Sequence, residues 1–473
     1  MSLVDELQAI LGPDRVHSHP LELFVYNKDA GVTRGELVAA VLPETTQEVA
    51  ACVRVARAHG VPVVARGAGT GLAGGAVPTE PAILVVLTRI NDISDVDSDG
   101  RTAWVGPGVL NLDLSRAVDH LGLHYAPDPS SQAACTIGGN VGTNAGGPHC
   151  LAEGTTVAHI LGVEMVTAEG DVVTLGGAAP DPLGLDLRGV VVGSEGTLGI
   201  VTRVLVKLTE NPPAVRTILV TFDSIQAAAA TVSNTIGAGI VPAALEMMDQ
   251  PMVIAVENFV HGNLPVDAAV ILLAEVVGLE AGVVAETALF EQIATQAGAT
   301  SVRVAADEEE RALLWKARKN AFGAVAQAAP DYYLHDTVVP RTRLVEVMTK
   351  IYEVGDRYGL EMLNVFHAGD GNLHPLVAFN AREPGMSERV RQAAEEMVKI
   401  SVEVGGSLTG EHGVGLEKRD LMGLVFDPID LDAQARLREA FDPAGVLNPG
   451  KILPMGSRCY DYGMTTLPET ENV

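Results

Sequence analysis

The stretch "RGAGTGLAGGA", residues 66–76, decides how the first third of the chain folds. It contains a literal G-x-G-x-x-G at Gly69, Gly71 and Gly74, the spacing of a dinucleotide-binding turn. That turn works only when it opens a helix whose N-terminus faces a pyrophosphate. Here Pro78 and Pro81 follow within a few residues, and the chain runs straight into the apolar "AILVVL". The reading is therefore strand, loop, strand, and not a doubly wound nucleotide fold. Five glycines from Gly67 to Gly75 still let backbone N–H groups approach phosphate oxygens without Cβ obstruction. On its own the loop serves equally well as a phosphate cradle or as a plain connection.

Upstream, "PETTQEVAACVRVARAHGVPVVARGAG" predicts a helix opened by a Thr45-x-x-Glu48 capping box, then a buried strand at 61–65. Downstream, the short strands "TAWVGPGV", "GVEMVTAEGDVVTL" and "GIVTRVLVKL" are separated by glycine-rich turns, which predicts mixed α+β sheets. A second loop, "PDPSSQAACTIGGNVGTNAGGPHC" at 127–150, carries five glycines between 138 and 147, with Asn140 and Asn144 offering amides. A third, "GSEGTLGIVTRV", spans 193–204. Three such loops within one domain suit one long ligand with two phosphates and a ring, and a dinucleotide is the simplest occupant.

After the linker-like "TENPPAVR", strands and helices alternate again: "TILVTF", a helix at 224–236, "AVILLAEV", a helix at 281–297, "SVRVA", a helix from about 307 and an amphipathic one at 343–358. This is a second α+β domain. Near the end, "FDPAGVLNPGKI" is rich in turn residues and unsuited to a core helix.

At 473 residues the chain is long enough for two or three domains. Its four cysteines, Cys52, Cys135, Cys150 and Cys459, form no C-x-x-C, which argues against a disulfide scaffold and a cysteine-ligated iron–sulfur cluster and favours a reducing cytoplasm. A net charge of -28 repels nucleic acid and anionic membranes, so an anionic substrate needs locally placed cations. The start "MSLVDELQAI" resembles no targeting segment, and no uncharged apolar run approaches a membrane span.

"HAGDGNLHP", residues 367–375, brackets a tight polar turn with His367 and His374. A strand, a turn and a second strand bring both imidazoles together, although histidines flanking a plain turn look the same. Further on, "GEHGVG" supplies Glu411 and His412. Two histidines and one carboxylate are a donor set used by catalytic divalent metals with an open position; zinc, manganese or iron fits, and a turn plus an ion pair is the alternative. A helix with an Asp307-x-x-Glu310 capping pair carries Leu314, Trp315 and Phe322 on one stripe with Arg318. An arginine on an apolar face needs an anion, either one of the chain's 60 acidic residues or a substrate carboxylate.

The order of "RGAGTGLAGGA", "PDPSS…IGGNVGTNAGG", "GSEGTLGIVT", "HAGDGNLHP", "GEHGVGLEK" and "FDPAGVLNPGKI" resembles the FAD-linked 2-hydroxy-acid dehydrogenases of the vanillyl-alcohol-oxidase-like flavoprotein superfamily. The resemblance covers roughly residues 40–453 and is strongest to the FAD subunit of glycolate oxidase and to D-lactate dehydrogenases. It implies an FAD-binding domain of two α+β lobes at 1–211, a ferredoxin-like α+β cap at 212–425, a C-terminal return to the flavin at 426–455 and a tail at 456–473. By motif, Arg66, Gly67, Gly69, Thr70, Gly71, Gly74 and Gly75 match the family's pyrophosphate loop. Pro129, Ser130, Gly138, Gly139, Asn140, Gly142, Asn144 and Gly147 match its second flavin stretch, and Ile200 and Asn448 match flavin-contacting positions. Relatives with covalent flavin have a histidine where this chain has Thr70, so noncovalent FAD is expected; the adjacent His149 and Cys150 are the other candidate attachment points.

The same resemblance assigns the metal to His367, His374 and Glu411, the base to His412 and the substrate carboxylate to Arg318. The implied reaction converts a small D-2-hydroxy acid, glycolate or D-lactate, to its 2-oxo acid, by proton abstraction from a metal-bound hydroxyl and hydride transfer to flavin N5. D-2-hydroxyglutarate is the alternative substrate, but relatives acting on it read His-Leu-Asn where this chain reads His374-Pro375-Leu376, without the polar group. A metal-dependent hydrolase would leave three glycine loops idle, and a catalytically silent flavin subunit would not need His374 and His412. Lacking a cluster motif, the chain must pass electrons to a separate acceptor: quinone, cytochrome, oxygen or an iron–sulfur subunit. It is expected in the cytoplasm, at a membrane only through that acceptor; the sequence leaves oligomeric state open, a homodimer included.

Overall fold

The computed structural model describes residues 1–179 and 184–454; the expected tail at 456–473, with Cys459, lies outside the described residues. The chain divides into two compact units. The first comprises Met1–Ala145, Thr155–Glu210 and the described residues from Glu411 onward; the second comprises Gly146–Gly154 and Asn211–Gly410. The stretch 411–425, read from sequence as part of the cap, therefore belongs to the first unit. The cause is backbone pairing: the amides of Leu416 and Glu417 donate to the Ala73 carbonyl of the first glycine loop, and Ile452 N–H donates to Gly415 O.

Two larger sheets and a two-stranded ribbon, Leu123–His124 with Thr209–Glu210, build the described part of the first unit. In the four-stranded sheet, Leu37–Val41 and Val63–Arg66 flank Ala82–Val86, and both pair with it in parallel. The helix Thr46–Ala58 connects the first two, buries Val49, Cys52, Val53 and Ala56, and packs on this sheet. Its cap differs in one detail from the expected box. Thr45 Oγ1 accepts the Glu48 amide, but Glu48 Oε2 accepts the amide of Glu44, one residue earlier than the box requires, while also accepting from Arg15 Nη1. The second sheet is antiparallel and five-stranded, in the order Ile93–Asp97, Thr102–Val105, Ile200–Lys207, Ile160–Val166 and Val172–Gly176.

Between the parallel neighbours Val63–Arg66 and Ala82–Val86 there is no helix. The glycine loop itself is the crossover, as its prolines require. The C-terminal motif, expected to be turn-rich, lies beside the same strand: Val63 N–H donates to Val446 O, and Asn448 N–H donates to Val63 O.

The second unit opens with Ala214–Phe222, Ala244–Asp249, Val270–Gly278 and Ala299–Val304. Helices Ile225–Gly237 and Glu280–Ala297 follow the first and third of these strands. All neighbours are antiparallel in the spatial order fourth, first, third, second, which is the ferredoxin-like arrangement expected of the cap. The sheet then continues through Glu361–His367, Asn372–Phe379 and Asp331–Leu334. Its core includes Val220, Phe222, Leu272, Phe290, Ile351 and Phe366, all buried. No helix among the described residues is long and apolar enough to cross a membrane.

Candidate active site

Strand register explains the histidine pair. Glu361–His367 and Asn372–Phe379 form an antiparallel hairpin with His367 opposite Asn372 and Val365 opposite His374. Residues facing each other across an antiparallel pair share a face, and alternate residues along a strand share it too. His367 and His374 are therefore diagonal neighbours on one face, with ring centroids 5.1 Å apart and planes at 89°. The turn is held by Gly371 N–H to His367 O and by Asn372 N–H to Asp370 Oδ1. Gly371 has φ +83, and a Cβ there would lie 2.1 Å from Val339 O, so glycine is required.

Each imidazole has a defined Nδ1 partner. His367 Nδ1 lies 2.8 and 2.9 Å from the two Glu246 oxygens, and His374 Nδ1 lies 3.2 Å from the His335 carbonyl oxygen. Both acceptors require Nδ1 to carry the proton, which leaves Nε2 as the lone-pair nitrogen on both rings. Ligand nitrogens of the two histidines approach within 4.8 Å, so this donor set suits a divalent cation. Gly410, the last residue of the second unit, donates its amide to Asp336 at 2.9 Å, and a Cβ on it would meet Asn372 Nδ2 at 2.2 Å. Glu411 follows one peptide bond later. His412 Nε2 lies 3.8 Å from Glu411 Oε1, and the two side chains are 11% and 12% exposed.

Arg318 sits on the helix Glu308–Lys319 and is fully buried together with Glu246 of the neighbouring strand. Its Nε and Nη2 donate to Glu246 Oε2 at 2.6 and 2.5 Å. A protein carboxylate thus fills that edge of the guanidinium. Nη1 is buried and without a hydrogen-bond partner among the described residues. Burial pushes the Glu246 carboxyl upward, but Arg318 and His367 outweigh it and hold it below the ordinary carboxylate range. Phe322 is not on this helix, which stops at Asn320; it stands edge-on to the His374 ring at 6.4 Å.

In the first unit, the Arg66 side chain folds beneath its own loop. Nη1 donates to Lys28 O at 2.7 Å, and a Cβ on Gly69, whose φ is +73, would meet Arg66 Nη2 at 2.0 Å. Asp29 accepts the Gly74 amide at 3.0 Å and the Gly31 amide at 2.8 Å, fastening the loop from below. A Cβ on Gly71 meets only Asp29 Oδ2, at 4.0 Å, and one on Gly142 meets nothing within 4 Å. Those open backbone faces, with Asn448 Oδ1 buried and unpartnered among the described residues, fit a pyrophosphate-bearing ligand.

Within the second glycine stretch, residues Ile137–Thr143 form a short helix capped by Thr136, which the sequence reading did not foresee. Asn140 accepts from Asn111 at 3.0 Å and donates to Cys135, while Asn144, at φ +52, accepts the Val157 amide at 2.9 Å. Both amides are committed within the protein at these atoms. Pro129 and Ile200 are buried, and Ser130, Thr70, Gly67, Gly138 and Gly139 are half-buried. Gly75 adjoins Glu195, and Gly147, in the second unit, donates its amide to Cys150 Sγ at 3.1 Å. His149 stacks on Trp315 at 5.5 Å and lies 3.5 Å from Glu275.

Sequence reasoning missed Glu246, Asp29 and Glu195. Glu246 had a signal: it is a charged residue inside "ALEMMD", a strand buried along its whole length.

Comparison with known proteins accords with this geometry. The model of FAD linked oxidases, C-terminal domain, matches residues 211–452, and that of the FAD binding domain matches 38–176. The chain is 46% identical over 443 residues to glycolate oxidase subunit GlcD of Escherichia coli strain K12, covering 93% of this chain and 89% of that protein. It is 32% identical over 444 residues to a D-lactate dehydrogenase of Anaerostipes hadrus, covering 91% of each. The structure of p-cresol methylhydroxylase shares its fold with TM-score 0.81 at 19% identity, over 96% of both chains. With a ferredoxin-like sheet in one unit and glycine-rich loops in the other, and with relatives matched along nearly its whole length, the chain belongs to the family of FAD-linked oxidases and dehydrogenases and is an FAD-linked oxidoreductase.

Proposed function

We propose that this oxidoreductase converts a small D-2-hydroxy acid, glycolate or D-lactate, to the corresponding 2-oxo acid, with FAD held noncovalently and a divalent metal held by His367, His374 and Glu411. The observation carrying this reading is the hairpin histidine pair, set on one face of the strands with ring centroids 5.1 Å apart and with each Nδ1 engaged by a protein acceptor. When bound, the metal lowers the pKa of the substrate hydroxyl, and the flavin takes the two electrons that leave with the Cα hydrogen.

The protein side chains supply the rest. His412 removes the hydroxyl proton, a task suited to an imidazole whose ordinary pKa is about 6.5. Arg318 holds the substrate carboxylate through Nη1, while Glu246 neutralises the other edge of its guanidinium. Leu376 alternates with His374 along the strand, shares its face and is fully buried. A second carboxylate beside it would lose hydration without gaining a partner, which disfavours a diacid by several kcal/mol. The E. coli relative is by name a subunit, which supports a separate electron acceptor on another chain.

The test is anaerobic mixing of the flavin-loaded protein with glycolate, D-lactate, L-lactate and D-2-hydroxyglutarate, following the visible flavin band. Bleaching by glycolate or D-lactate is expected. A clear preference for the diacid or the L enantiomer would overturn the substrate assignment.

A further inference from the structure

We propose that Glu195, in the third glycine-rich motif, is a positioning residue for His412. The inference rests on the reading of His412 as the base, and its own support lies within the first unit. Glu195 is 8% exposed, and its Oε1 accepts two backbone amides, Val414 at 2.8 Å and Gly415 at 3.0 Å. These amides belong to the turn immediately following His412. Gly413 and Gly415 have φ of +82 and +53, so the turn bends through left-handed conformations and aims consecutive N–H groups at a single oxygen.

The same carboxylate reaches the other motifs. Its Oε2 is buried, without a hydrogen-bond partner among the described residues, and lies 2.8 Å from where a Cβ on Gly75 would stand. A Cβ on Gly413 would lie 2.7 Å from Oε1. Asn448 Nδ2 donates both to Glu195 O at 2.6 Å and to Gly75 O at 2.8 Å. Thus the first loop, the third loop, the His412 turn and the C-terminal motif meet around one side chain.

Its backbone adds to the argument. Glu195 has φ +52 between Gly193 at +86 and Gly196 at +73, a conformation that strains an L-residue and that glycine adopts freely. A side chain held there needs a compensating role, and accepting the two turn amides provides it. Burial raises the Glu195 carboxyl, against the amides of Gly415 and Val414 and the charges of Lys451 and Lys418. Without Glu195 the amides of Val414 and Gly415, the second of them buried, lose their acceptor, and the turn that orients His412 relaxes.

The experiment compares Glu195→Ala, Glu195→Gln and His412→Asn as flavin-loaded proteins, measuring anaerobic flavin reduction per bound flavin with whichever of glycolate and D-lactate reduces the wild type faster. Glu195→Ala is expected to retain flavin but slow reduction by roughly 10–10²-fold, as for a misplaced catalytic group. The loss should appear in the limiting rate more than in half-saturation, and the pH profile of the rate should be displaced. Glu195→Gln, which keeps an acceptor oxygen, should restore most of it. A merely structural Glu195 would lower melting temperature and flavin occupancy while leaving the rate per bound flavin unchanged; that result, with His412→Asn slow, overturns the inference. Wild-type reduction by His412→Asn would overturn the base assignment and the inference with it. If Glu195→Ala does not fold, Glu195→Asp, with its carboxylate drawn back by one methylene, carries the same comparison.

Discussion

His367 Nδ1 stands 2.8 Å from Glu246 Oε1, and Glu246 is at the same time the ion-pair partner of Arg318. One buried carboxylate thus sets the tautomer of a proposed metal ligand and occupies one edge of a proposed substrate clamp. Glu246→Gln should therefore lower the divalent metal content of the purified protein, since an outer partner of this kind contributes about 10–100-fold in affinity. Elemental analysis beside the flavin spectrum checks it: metal lost with flavin retained is expected, and full metal content in the variant would detach Glu246 from that role.

Arg318→Ala should depress kcat/KM through loss of the carboxylate contact and also destabilise the fold by about 3–5 kcal/mol, because Glu246 is left as an uncompensated buried charge. The double variant Arg318→Met with Glu246→Gln removes both charges, so it should recover melting temperature without recovering kcat/KM. Recovery of both would show that Arg318 acts only through stability.

Gly71→Val should fold and yet purify without flavin. The protein leaves the Cβ site of Gly71 open to 4.0 Å, so a branched side chain meets only what the loop binds. Circular dichroism and the visible spectrum together decide this. Acid precipitation of the wild type should release all the yellow colour to the supernatant, as Thr70 in the first loop implies; colour in the pellet would point to a covalent bond, with His149 or Cys150 to be mapped next.

Glu275 gives a pH dependence. Burial raises its carboxyl, but the hydrogen bonds from His149, Thr217 and Trp315 and the charge of His149 prevail and bring it to about 2, from an ordinary value of 4.5. A depressed folded-state pKa stabilises the protein fully above the unfolded value, and this contribution fades as pH falls from about 4.5 through about 2. The melting-temperature gap between wild type and Glu275→Gln should therefore be widest above pH 5 and shrink on acidification. A gap that widens toward pH 3 would contradict the assignment.

Local pattern alone determined much of this protein. Prolines 78 and 81 after the glycine loop forbid a helix there, and the structure has none. The alternation around Asp370-Gly371-Asn372 sufficed to put His367 and His374 on one face, because strand periodicity is a property of neighbours in sequence. Helix starts at Thr45 and Asp307 were legible for the same reason, although their glutamates bond one residue outside the expected box, to Glu44 and Ala306.

What required tertiary structure was the identity of distant partners. Nothing in "RALLWKARKNAF" says which of 60 carboxylates meets Arg318; the answer, Glu246, lies 72 positions away and became its partner only when sheet register buried both. Glu195 looked like one polar residue among glycines until the His412 turn, 219 positions on, returned two amides to it. The end of the second unit at Gly410 was hidden for the same reason, since composition is continuous through "LTGEHGVG" and only backbone pairing to Ala73 assigns the following residues to the first unit. A buried charge is tolerated only where opposite charges or oriented amides replace its water, and those replacements come from wherever the folded chain happens to bring them.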